Sequence, residues 1–184
     1  KLALLSYRQS LKLNSYDANI YYQIGLIYEQ LLNIEEAIKN YNQAINMDDN
    51  NKDLIYRLGM ILYQDGQYKK SLEYLRRHLL YQPKDIQVIK ILANVLYSLN
   101  RLPEAIDNYK RLIELEQNNM SYYHKIALAY WDLGNYNKAQ FYYNTILEYE
   151  EFQTGEVYYY LGFIANQNKN YDLALDYFFY AREC

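Results

Sequence analysis

Residues 21–45 read YYQIGLIYEQLLNIEEAIKNYNQAI. Tyr21, Ile24 and Tyr28 share one helical face, and Ala37, Tyr41 and Ala44 share another, so the stretch predicts two helices. Gly25 stands inside the first of them, where glycine costs about 0.5–1 kcal/mol relative to alanine. A residue that weakens its own helix needs a reason.

The segment recurs. YYQIGLIYEQ returns as IYRLGMILYQ from Ile55, and the two glycines give 59 − 25 = 34. Ala93 and Ala127 follow at steps of 34, and Gly162 after a step of 35. A second register of small residues holds Ala37, Ser71, Ala105, Ala139 and Ala174. A third holds large ones, Tyr41, Leu75, Tyr109, Tyr143 and Phe178. Three registers in phase across five units define a tandem array. Asn33, Gly66, Asn100 and Gly134 lie between the halves and suit a left-handed helix stop. Pro103 falls where a second helix begins, and the segments MDDNN, YQPKD and EQNN read as turns between units. Each unit is therefore expected to be a helix hairpin. Gly25 then serves close approach of a neighbouring helix, where a larger side chain would overpack by about 1–3 kcal/mol.

These residues resemble the tetratricopeptide repeat family, whose pattern is matched by Tyr21, Ile24-Gly25, Tyr28, Ala37, Tyr41 and Ala44. The closing proline of that pattern occurs only as Pro83. The resemblance implies an all-α fold, a right-handed superhelical solenoid of antiparallel helix hairpins. The expected units are 18–51, 52–85, 86–119, 120–154 and a truncated 155–184, with 1–17 as the second helix of a preceding unit, all in one continuous solenoid. His78 departs from the pattern by standing where a small residue is usual, and the fourth unit gains a residue around EYEEFQTG. LALDYFFYAREC keeps the pattern of a helix that packs onward, and the chain starts in mid-pattern without Met, so it is expected to continue beyond both ends.

Composition narrows the function. No apolar run approaches the roughly 20 residues that span a bilayer, so no membrane insertion is expected. The amphipathic amino terminus is not a secretory signal, and an intracellular, cytoplasmic setting is expected, with targeting signals missing from the fragment. A net charge of −3 gives no general attraction to phosphates, which argues against nucleic acid. The single cysteine, Cys184, excludes an internal disulfide or a thiolate-rich metal site. Two histidines and no phosphate-cradling glycine loop leave enzyme chemistry, metals and cofactors without support. His78 reads as structural, and Asp48-Asp49 and Glu150-Glu151 as solvated turn pairs. Asn119-Met-Ser is a lone glycosylation sequon of a kind that arises by chance.

The family resemblance implies a concave face built by the first helix of each unit. Carried over position by position, it yields candidate peptide-binding residues Tyr22, Leu26, Tyr56, Met60, Tyr63, Lys90, Asn94, Tyr97, His124, Leu128, Trp131, Tyr159 and Phe163. Glu29, Asp53, Asp132 and Glu156 edge that face. Tyr and Trp bury large areas at little entropic cost, which points to a protein or peptide partner with apolar anchors. Trp131 is the leading candidate, because the A/T-rich coding that favours Tyr, Asn, Ile and Lys does not favour tryptophan. The family's carboxylate clamp for chaperone tails would need more than Lys90 and Asn94. Lys125, Glu156 and Tyr160 stand at its remaining positions, so such a tail is not expected. The expected function is a non-enzymatic scaffold within a multiprotein complex. The alternative is a substrate-recruiting array of a larger enzyme such as a protein glycosyltransferase, although the asparagine ladder of those members is missing at Gln23, Arg57, Ile91, Lys125 and Tyr160.

Overall fold

The structure, a computed structural model, describes residues 2–14, 16–117, 119–149 and 154–184. Glu150, Glu151 and the centre of the EYEEFQTG insertion lie outside the described residues. Among those described, eleven helices account for the regular structure. The chain divides into two compact units, Lys1–Leu99 and Asn100–Cys184.

The first unit holds α1 (Leu2–Leu13), α2 (Ala18–Gln30), α3 (Ile34–Met47), α4 (Lys52–Gln64), α5 (Tyr68–Tyr81) and α6 (Ile86–Ser98). Within it α2 pairs with α3 and α4 with α5, while α1 packs on α2, α3 on α4 and α5 on α6. The second holds α7 (Leu102–Leu115), α8 (Met120–Asp132), α9 (Tyr136–Leu147), α10 (Gly155–Gln167) and α11 (Tyr171–Glu183). There α8 pairs with α9 and α10 with α11, with α7 against α8 and α9 against α10.

Short polar side chains start the helices. Asp17, Asn51, Asp85, Asn119 and Thr154 recur at steps of 34, 34, 34 and 35, and each accepts a hydrogen bond from a backbone N–H of the helix it precedes. Asn33, Asn135 and Asn170 cap α3, α9 and α11 in the same way. Arg101 offers no such bond, but Pro103 opens α7 where its missing N–H is harmless.

Asn33 corrects an expectation. The left-handed stop of the first hairpin is Leu32, at φ 57°, and its equivalents are Gly66, Asn100, Gly134 and Lys169. Asn33 is one residue later, at φ −92° and ψ 80°, where its side-chain Oδ1 accepts from the Glu36 N–H.

The two small-residue registers point inward. Gly25, Gly59, Ala93, Ala127 and Gly162 are buried, as are Ala37, Ser71, Ala105, Ala139 and Ala174. Ser71, the polar member, donates its hydroxyl to the Gly59 carbonyl at 2.7 Å, so burial leaves it satisfied. The first and third registers meet inside the three hairpins that carry a glycine at this position. A methyl added at Gly25 would land on the Tyr41 ring; at Gly59 it would lie 2.9 Å from Leu75 Cδ2, and at Gly162 2.8 Å from the Phe178 ring. The close approach that explains these glycines is thus that of one large side chain sixteen residues later. Tyr41, Leu75, Tyr109 and Tyr143 are almost wholly buried, whereas Phe178 on α11 is 37% exposed.

Candidate functional site

Every second helix from α2 to α10 presents residues of the expected face. Tyr22 and Leu26 lie on α2, Tyr56, Met60 and Tyr63 on α4, and Lys90, Asn94 and Tyr97 on α6. His124, Leu128 and Trp131 lie on α8, and Tyr159 and Phe163 on α10. All thirteen are half-buried except Tyr159, which is exposed.

In the first unit, part of this face is tied together. Arg57 Nε donates to Tyr22 Oη at 3.1 Å and to Asp53 Oδ2 at 3.0 Å, and its Nη1 reaches Glu29 Oε2 at 3.4 Å. The Tyr22 hydroxyl donates to Asp53 and the Tyr41 hydroxyl to Glu29. One guanidinium therefore joins α2 to α4 and partly neutralises two carboxylates of the face. Burial pushes Asp53 up, yet hydrogen bonds from Tyr22 and Arg57 outweigh it and hold the carboxyl below its ordinary range. Desolvation and then the Asp53 hydrogen bond raise the Tyr22 pKa, and desolvation with the Glu29 hydrogen bond raises that of Tyr41 further.

Beside this network, Lys52, Asp53, Tyr56, His78, Gln82 and Asp85 line a polar cavity of about 370 Å³. His78 is buried as expected of a structural residue, with Nε2 2.8 Å from Asp85 Oδ2. Asp85 Oδ1 accepts from the Val88 N–H, so one carboxylate both caps α6 and anchors the histidine of α5. The Tyr56 ring lies 5.2 Å from the imidazole. The Lys52 ammonium sits over the Tyr81 ring at 5.0 Å.

The second unit is richer in rings. Trp131 has Tyr136, Tyr160 and Phe163 edge-on at 5.0, 4.9 and 5.1 Å. Tyr160 stacks on Tyr143 at 5.2 Å with 8° between planes, and Tyr143 lies 5.9 Å from His124. Trp131 is thus packing as well as surface, and truncating it would disturb α8 against α10. Desolvation lowers the His124 pKa, against Glu156, whose carboxylate is 3.7 Å away, and together with Lys125. Desolvation raises Tyr160, helped by Glu156 and Asp132.

Arg57 and Tyr160, which organise the two faces, were not among the candidates. They share repeat position six with Gln23, Ile91 and Lys125, a register whose only sequence signal was its mixture of residue types. Among the described residues, no group of His, Cys, Asp and Glu could hold a metal ion, and no helix is long and apolar enough to cross a membrane.

Repeated hairpins with small-to-large locks define a helical-repeat protein, and comparison with known proteins specifies the kind. A family model described as TPR repeat matches residues 93–134, and one described as Tetratricopeptide repeat matches 121–152. A third, described as Anaphase-promoting complex, cyclosome, subunit 3, matches 30–112. Between them the three models match residues 30–152, so the chain carries tetratricopeptide repeats. Among solved structures it is similar to one of MamA, 25% identical over 87% of this chain and 93% of that one, with a TM-score of 0.71. It is likewise similar to MamA 41-end from Desulfovibrio magneticus RS-1, 17% identical over 90% and 93%, TM-score 0.71. YrrB, described as a TPR protein with an unusual peptide-binding site, is 18% identical over 96% of this chain and 91% of that one, TM-score 0.71. No curated protein sequence matches the chain.

Proposed function

We propose that this chain is a non-enzymatic interaction module that holds a peptide segment of a protein partner against the first-helix faces of its units, α2, α4 and α6 in the first and α8 and α10 in the second, as part of a larger assembly. The observation that carries this reading is the state of the face itself. Twelve of its thirteen residues are half-buried, so each is held in part by packing and still offers surface to a partner. Rings fixed in this way lose little rotamer freedom when a partner covers them. The peptide-binding site described for YrrB supports the same use of this fold. A helical or extended segment with apolar anchors is the partner chemistry that matches rings edged by amides and carboxylates, and an acidic edge disfavours nucleic acid.

The test is selection of binders from a phage-displayed library of random peptides, followed by affinity measurement on purified protein. Because Trp131 is packed among three rings, the informative variant pairs Tyr97→Ala with Trp131→Phe. A loss of about tenfold or more with unchanged helix content supports the reading. No selected binder, or equal affinity in the variant, overturns it.

A further inference from the structure

One cavity adds specificity to this face, and its description rests on the peptide-binding reading above. Among the described residues, Met120, Ser121, His124, Ile146, Thr154, Glu156 and Val157 line a space of about 180 Å³ where α8, the end of α9 and the start of α10 meet. Five of these register with the lining of the polar cavity in the first unit. Lys52 corresponds to Met120, Asp53 to Ser121, Tyr56 to His124, His78 to Ile146 and Asp85 to Thr154, at steps of 68, 68, 68, 68 and 69. The repeat architecture therefore makes a hollow at this junction, and side-chain choice decides its chemistry. In the first unit an ammonium, an imidazole and carboxylates line it; in the second, Met120, Ile146 and Val157 carbons do, with His124, Ser121, Thr154 and Glu156 beside them.

Size selects the occupant. Small-molecule pockets run to about 300–1,000 Å³, so this hollow is too small for a free ligand of that class and suits a single side chain. Its floor is apolar, since Met120, Ile146 and Val157 are each at most 3% exposed. Its rim carries one carboxylate, that of Glu156, whose side chain is 56% exposed. Among the described lining residues Glu156 is the only carboxylate and none is Lys or Arg, so the rim is acidic. Desolvation favours neutral His124, which leaves Glu156 free to meet a partner's cation.

We infer that this hollow receives one aliphatic side chain of a partner peptide, with a lysine or arginine of the same peptide against Glu156. Charge complementarity with an acidic rim commits the occupant to an apolar-then-basic segment rather than an acidic tail or a free metabolite.

The test uses peptides selected from the same random library on the wild-type chain. Selected sequences should be enriched in Leu, Ile or Met next to Lys or Arg. Ser121→Phe plugs the hollow from an exposed rim position and should weaken such peptides by about tenfold to a hundredfold, the worth of one buried aliphatic side chain. Glu156→Lys should weaken them by about tenfold and shift a fresh selection toward Asp and Glu flanks. Peptides that bind through Tyr97 but ignore both variants would overturn this inference alone. Failure to select any peptide would overturn the binding reading with it.

Discussion

Gly25→Ala is the most direct probe of the fold, because the structure says what the added methyl meets. The new Cβ would overlap the Tyr41 ring, which is fully buried and whose hydroxyl is tied to Glu29. The ring cannot yield without breaking that bond or shifting α3. Overpacking of this kind costs about 1–3 kcal/mol. Alanine's better helix propensity offsets about 1 kcal/mol of it. Because the tethered ring cannot swing aside, the cost falls in the upper part of that range, and the net loss of about 1–2 kcal/mol lowers Tm by about 2–8 °C for a chain of this size. Gly162→Ala supplies the control. Its methyl would meet the Phe178 ring at 2.8 Å, but that ring is 37% exposed and has room to swing. There propensity wins, and the variant should match or exceed wild type by up to about 1 kcal/mol. Repeat proteins unfold in parts, so circular dichroism melts need hydrogen exchange on α2 and α3 beside them. A Gly25→Ala chain as stable as wild type would refute the lock, and so would a Gly162→Ala chain that loses as much.

Leu32 holds a left-handed conformation with its side chain 83% exposed, so Leu32→Gly removes strain and almost no packing; thermal unfolding should show a gain of about 0.5–1 kcal/mol. Asp85→Ala deletes the α6 cap and strands the buried His78 Nε2, for a loss of about 2–4 kcal/mol in denaturant titration, whereas Asp85→Asn keeps the cap and should lose much less. Alkali should also unfold the protein. Desolvation and the Glu116 hydrogen bond push the Tyr122 pKa up to about 12, and Tyr22, Tyr41, Tyr74, Tyr142, Tyr158 and Tyr160 are raised as well. A tyrosine that keeps its proton longer when folded contributes stability that is whole below its unfolded pKa of about 10 and is lost as pH climbs through the folded one. Tyrosinate absorbance should therefore rise together with loss of helix between about pH 10 and 12, and Tyr122→Phe should soften that dependence.

Periodicity made most of the fold legible, because a buried contact that recurs every hairpin leaves its residue types in phase. What it missed was pairing. Gly25 and Tyr41 were each visible as members of a register, yet nothing in the spacing said that one faces the other, since sixteen residues span a turn of unknown geometry. Leu32 escaped because composition favours Asn33 as a left-handed residue; only counting back 34 from Gly66 points to it. The face residues could be placed on their helices by register, but not their electrostatics. Glu29 and Asp53 read as free acids in sequence, whereas Arg57 engages both. Trp131 stood out by rarity, a signal blind to the three rings packed around it.

The sixteen-residue offset between each glycine and its bulky counterpart has an evolutionary side. Gly25 with Tyr41, Gly59 with Leu75 and Gly162 with Phe178 lie inside single hairpins, so a gene duplication that copies one period copies key and keyhole together. The new module arrives already fitted to itself, and selection has only to tune its seams with older neighbours. Lengthening or shortening this chain by whole periods should be tolerated far better than moving a boundary into the middle of a hairpin.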